Sequence, residues 1–170
     1  MAIQMIFCLE TNKRANTDYI YIKETMDFLY QKNNQIKISP VYMDGKTKYQ
    51  SKSVLREIHK REKAFISGKT KIIYCIDTDE YENNIEHANI FRDIQIFCEE
   101  NGYELIWFCH DVEEVFQGRG IADSLKVKEA GAYRDKKKIR EMSLSRLAEK
   151  TIRPHTSNLL CILDQYLERK

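Results

Sequence analysis

The sequence predicts an α/β fold: a parallel sheet of about four strands flanked by helices, with further helices at the C-terminal end. Three observations lead there. Short apolar runs alternate with segments of helical spacing, the pattern of parallel strands joined by crossover helices. Breakers are few, with only Pro40, Pro154 and six glycines among 170 residues, which disfavours a turn-rich β sandwich. The apolar runs also end repeatedly in acids, and ligands of open parallel sheets bind at strand carboxyl ends.

The elements follow in order. Ile3 to Leu9 (IQMIFCL) is an apolar run suited to a strand buried on both faces, and it ends at Glu10. Thr17 or Asp18 is expected to cap a helix running from Tyr19 to about Gln31. Ile36 to Met43 reads as a second strand, placed at an edge by Pro40. Asp44-Gly45-Lys46 is a turn. Ser51 or Ser53 then starts a long helix that carries Val54, Leu55, Ile58, Phe65 and Ile66 on one face and ends at Gly68. Lys71 to Ile76 is the most strand-like run and leads into Asp77-Thr78-Asp79-Glu80. A helix with Ile90, Phe91, Ile94, Phe97 and Cys98 stops at Asn101-Gly102. Tyr103 to Cys109 is the fourth strand, followed by His110-Asp111 and one or two helical turns over Val112 to Gln117. Gly118 to Tyr133 reads as irregular with one short helix, Asp135 to Lys150 as helical, and Thr156 as the cap of a last helix. No linker divides the chain, so a single domain over 1–170 is expected, with a core over about 3–117 and a helical part over about 118–170.

Bulk composition narrows the class. Apolar residues at 42% and charged residues at 32% fit a globular protein rather than a disordered one. No apolar run spans a membrane, and the N-terminal run reads as a strand, not a leader. Five cysteines without CxxC spacing read as reduced thiols of a cytoplasmic protein, and the four histidines show no ligand spacing. The net charge of +2 conceals an asymmetry: residues 77–117 hold one basic and twelve acidic side chains, whereas residues 118–153 hold eleven basic and five acidic. An acidic centre suits a cation, and basic flanks suit a polyanion.

The candidate site follows from the strand ends. Glu10, Asp77, Asp79 and Asp111 each end or directly follow a strand, with Glu113 and Glu114 behind them. Carboxylates at neighbouring strand ends repel one another unless a cation joins them, and hard cations such as Mg²⁺ or Mn²⁺ take such oxygens. Two acids one residue apart, as in Asp77-Thr78-Asp79, can both turn toward one ion. Asp77 and Asp79 are the expected metal ligands, with Asp111 and Glu114 as alternates. Each acid also has an ordinary reading: Asp77 or Asp79 as a helix cap, Glu113 as a first-turn acid favoured by the helix dipole. Lys126, Lys128, Arg134, Lys136, Lys137, Lys138 and Arg140 form a basic segment suited to DNA or RNA phosphates. Lys126 or Lys128 could instead reach a phosphate held at the acids.

IFCLE followed by IIYCIDTDE resembles the Toprim signature, a glutamate after the first strand and a DxD after a later one. The closer resemblance is to the RloB-like branch, related to OLD-type nucleases and found near restriction and phage-defence genes. Thr17-Asp18-Tyr19-Ile20-Tyr21 resembles its threonine-acid-x-x-tyrosine helix start, His110-Asp111-Val112-Glu113 its Pro-x-aromatic-Glu element, and Pro154-His155-Thr156 its Pro-x-Thr element. His110 replaces the proline and Thr11 the usual glycine. The resemblance implies a Toprim fold, Mg²⁺ binding and phosphodiester cleavage in defence, restriction or repair, with Glu10 as a metal ligand or catalytic general acid/base and Glu113 as the matching catalytic acid, placed to hold a second metal. The alternative is a non-catalytic Toprim-like module that binds nucleic acid or a partner ATPase, since no GxxxxGK[ST] loop is present. A response-regulator-like or flavodoxin-like domain is a remoter option. A homodimer stays open.

Overall fold

A run that is apolar at every position can be buried only if both faces of its strand are covered. That condition shapes the computed structural model, which describes residues 1–170. Its elements are β1 (Ala2–Leu9), α1 (Thr17–Leu29), β2 (Ile36–Tyr42), α2 (Lys52–Ala64), β3 (Gly68–Asp77), α3 (Ile85–Asn101), β4 (Glu104–Phe108), α4 (Val112–Gln117), α5 (Lys126–Asp135) and α6 (Leu159–Leu163). The four strands form one all-parallel sheet in the order β2-β1-β3-β4. This is a Rossmann-like α/β arrangement, as the alternation predicts.

Side chains alternate across the sheet with the period of two that strands impose. Met5, Phe7 and Leu9 of β1 face one core, with Ile73 of β3 and Ile106 of β4, against Tyr21 and Ile22 of α1. Ile6 and Cys8 face the other core, with Tyr74, Ile76 and Trp107, against Val54 and Ile58 of α2 and Ile94 of α3. Each such side chain, once fully buried, contributes roughly 1.5–3 kcal/mol of transfer free energy. The chain leaves β1 toward β2 and leaves β3 toward β4, so the loops after the two central strands diverge. Such a switch point opens a crevice at the carboxyl rim.

Several boundaries differ from expectation. Asn16, not Thr17 or Asp18, precedes α1; it sits in the left-handed region (φ 53°) and its side chain accepts a hydrogen bond from Tyr42 Oη rather than capping the helix. Ser51 caps α2 through the Val54 amide, but the helix stops at Ala64, leaving Ile66 94% exposed. Gly68 starts β3 instead of ending α2. A Cβ there would stand 1.8 Å from the Ala2 carbonyl oxygen, so the close approach to β1 requires glycine. α3 is capped by Asn84, whose Oδ1 accepts from Glu86 and His87 amides, so neither Asp77 nor Asp79 is a helix cap.

The C-terminal third departs most. Residues 126–135 form α5, the one short helix expected within Gly118 to Tyr133, running two residues beyond that stretch, and it buries only Ala130 and Tyr133. The expected helix over 135–150 is absent. Lys137 adopts φ 52°, which breaks the helix, and two short 3₁₀ turns follow at Lys138–Glu141 and Leu144–Leu147. Thr156 does not cap α6: its hydroxyl donates to the Arg153 carbonyl. The segment 156–158 instead lines the outer edge of β4. Cys109 N donates to Thr156 O, Ser157 Oγ donates to Trp107 O at 2.6 Å, and the Asn158 amide accepts from Trp107 N (2.8 Å) and donates to Leu105 O (2.9 Å).

Asn158 therefore stands in for a fifth strand, and Asn158→Ala leaves a buried donor and acceptor unpaired. A loss of about 2–4 kcal/mol is expected in urea unfolding. A change below about 0.5 kcal/mol would mean that the edge is satisfied without it.

Candidate functional site

The diverging loops after β1 and β3 bring the strand-end acids together. Glu10 follows β1, and its Oε1 accepts the Asp77 amide of β3 at 2.6 Å. Glu10, Asp77, Asp79 and Glu113 line one cavity of about 230 Å³, joined by Asp18 and Lys126. All four acids expected to be catalytic thus meet at one rim of the sheet. Asp111 lies beside them as the N-cap of α4, its Oδ1 accepting the Glu114 amide at 2.8 Å. Glu114 turns away to an adjoining cavity shared with Asp79, Glu82 and His110.

Two ammonium groups hold the acids in place. Lys46, only 8% exposed, pairs with Asp79, lies 4.0 Å from Glu10 Oε1, and donates to the Asp77 carbonyl at 2.7 Å. Lys126, the first residue of α5, lies 3.3 Å from Asp111 and 3.4 Å from Glu113. Sequence reasoning missed Lys46, which follows a turn and looks like any turn lysine. The signal that could have found it was its place after β2, the neighbour of β1. Asp18 was missed too, expected as a cap. Asp18 is 7% exposed, in the first turn of α1, accepting from the Thr11 amide and the Thr17 hydroxyl.

The basic segment is not one surface. Lys126 belongs to the acid cavity, Arg134 pairs with its neighbour Asp135, and Lys137 reaches Glu24 across to α1. Lys128, Lys136 and Arg140 are exposed, Lys138 is half-buried, and none of the four has an ion-pair partner.

Burial dominates the titration of the cavity. It pushes Glu10 up to about 8, opposed by Lys46 and reinforced by Asp18. It pushes Glu113 up to about 7, opposed by Lys126 and reinforced by Asp111. Asp77 lies well above the usual carboxylate range, from burial first and then from Glu10 and Asp18. Asp18 is raised by burial against the Thr11 hydrogen bond.

Five carboxylates line this cavity, and two lysines touch them. Ionised together, they leave an excess of negative charge in a poorly solvated space, which is costly. The Thr11 hydroxyl, on the same wall, is buried without a hydrogen-bond partner. Carboxylate oxygens are the donor type that hard divalent cations take, but no three of these acids bring an oxygen within 4.8 Å of one another; the cluster whose donor atoms do so is Glu82, Cys109 and His110. Comparison with family models, curated proteins and solved structures finds no match.

The raised acids bind protons more tightly folded than unfolded. The stability they supply is complete below about 4.5 and is lost as pH rises through about 7 to 8. With a chelator present, the melting temperature is expected to fall between pH 5 and pH 9. The fall should be smaller in Glu113→Gln. A melting temperature that rises over this range would contradict the charge balance described.

Proposed function

We propose that the protein is a metal-dependent nucleic-acid phosphodiesterase of Toprim type, closest to the RloB-like branch. The observation that carries this reading is the convergence of Glu10, Asp77, Asp79 and Glu113 on one cavity at the switch point of the sheet. Asp77 and Asp79 would hold Mg²⁺ or Mn²⁺, with Glu10 as a further ligand or as the group that moves a proton. Such a cation neutralises phosphate charge and lowers the pKa of a bound water.

The protein's own groups supply the rest. Glu10, with its raised affinity for a proton, suits acid/base work near neutral pH. Lys46 orients Asp79 and fixes the end of β3 through the Asp77 carbonyl. Lys126, held by Asp111 and Glu113, suits a phosphate oxygen entering the cavity. Lys128, Lys136, Lys138 and Arg140, free of ion pairs, suit the more distant backbone of DNA or RNA. A role in phage defence, restriction or repair belongs to the same reading.

One observation favours a second reading, a non-catalytic module for nucleic acid or a partner ATPase. Lys46 and Lys126 already neutralise part of the acid cluster, as a purely structural ion-pair network would.

Incubation of the full chain with labelled DNA and RNA, with and without Mg²⁺ or Mn²⁺, separates the two. Cleavage is expected only with the cation, and Asp77→Asn with Asp79→Asn should reduce it to background. Equal cleavage by that double variant would overturn the assignment. No cleavage and no calorimetric signal for either cation would favour the module.

Nucleic-acid binding is expected to be salt-dependent. Replacing Lys136, Lys138 and Arg140 by alanine should lower the slope of log K against log salt by roughly 2 to 3, at about 0.7–0.9 for each phosphate no longer neutralised. An unchanged slope would place the nucleic acid elsewhere on the surface.

A further inference from the structure

The adjoining cavity has different chemistry. It measures about 420 Å³, has no hydrophobic lining residue, and shares Asp79 with the acid cavity. Glu82 and His110 line it, Cys109 lies buried behind them, and donor atoms of the three lie within 4.8 Å of one another. Glu82 comes from the turn before α3, and Cys109 and His110 follow β4. We propose that these three residues bind a transition-metal ion of the zinc and cobalt class, distinct from the hard-cation site at Asp77.

The donor types decide the class. Thiolate and imidazole select borderline and soft ions and are poor ligands for Mg²⁺. A tetrahedral zinc site, with bonds of about 2.0–2.3 Å, sets its donors roughly 3.5 Å apart, so these three need only a small inward shift. The turn that carries Glu82 is exposed and can supply it.

The imidazole is also held as a metal-bound histidine is held. His110 Nδ1 lies 3.0 Å from Glu114 Oε2, and its Nε2 faces Glu82 at 3.0 Å. A carboxylate on one ring nitrogen fixes the tautomer that presents the other nitrogen to an ion. Glu114 is held in turn by Asp111, whose Oδ1 accepts its amide, and by His155, whose Nδ1 lies 3.6 Å from Oε1. His87 is not a fourth ligand through Nδ1, which accepts the Glu80 amide. The fourth position is open to water or to a ligand of the cavity.

The backbone aims the cluster. His110 adopts φ 61° and Asp79 φ 50°, and the two pair across the strand ends, Asp79 N donating to His110 O at 2.9 Å. Cys109 is a free thiol with no solvent exposure, so the ion would draw its sulfur from the core side and its carboxylate from the solvent side. An ion here would tie the β3–α3 turn to the end of β4, beside Asp79.

The test uses the full chain, reduced and stripped of metal, titrated with Co²⁺ without Mg²⁺ and followed by absorption. One equivalent is expected to give a thiolate-to-cobalt charge-transfer band, and Zn²⁺ should bleach it. Cys109→Ser should remove the band. Glu82→Gln, on an exposed turn, and His110→Asn, whose replacement tolerates the left-handed backbone, should each weaken binding at least about tenfold. Glu114→Gln should weaken it roughly 10- to 100-fold as a positioning residue. Asp77→Asn should leave the band unchanged, which separates this site from the nuclease reading. Absence of the band at one equivalent, its persistence in Cys109→Ser, or its loss in Asp77→Asn would overturn the proposal.

Discussion

The rim of this sheet rests on one electrostatic constraint: carboxylates carried by four different segments are held within a single small cavity. Glu10, Asp77 and Glu113 are drawn together by backbone geometry, and none is well solvated. Lys46 and Lys126 make the assembly tolerable, one from each side. Both lysines reach inward from segments outside the sheet, so the loop after β2 and the start of α5 are fixed by the charge they answer. The direct hydrogen bond from the Asp77 amide to Glu10 then locks the two central strands at the point where the chain diverges. Removing a partner from such a buried set strands a charge, which is why the geometry of the rim and the stability of the fold are hard to separate.

The strands were legible in the sequence because burial on both faces writes a continuous apolar run, and IQMIFCL and KIIYCI have that form. The strand-end acids were legible for the same reason, as each follows such a run directly. What escaped was encoded by contact rather than by pattern. Lys46 differs from Lys48 only in where its side chain goes, one nearly buried against Asp79 and the other at the surface beside Asp44. Asp18 has the sequence of a helix cap and the position of a cavity wall.

Much of the C-terminal third escaped for a related reason. Its last helix was legible, since Leu159, Leu160 and Leu163 join the core at helical spacing, but the stretch before it joins through a few scattered side chains, Ala130, Tyr133, Ile139 and Leu147. It also attaches through hydrogen bonds of Ser157 and Asn158 that no hydropathy pattern records. The basic run within it reads as one helix face, but the left-handed Lys137 scatters it over separate surroundings. The mixed cluster at His110 escaped because Glu82 is brought to it by the fold rather than by a neighbouring position in the chain.

The side chains of Ser157 and Asn158 carry one consequence for the molecule as a whole. By occupying the hydrogen-bonding groups of β4, they leave the sheet with a single open border, along β2, and Pro40 interrupts that border because it has no amide to offer. Neither side then offers an unbroken template on which another copy could stack strand to strand. The chain is thereby guarded against fibrillar self-association by a serine and an asparagine at one side and an imino acid at the other.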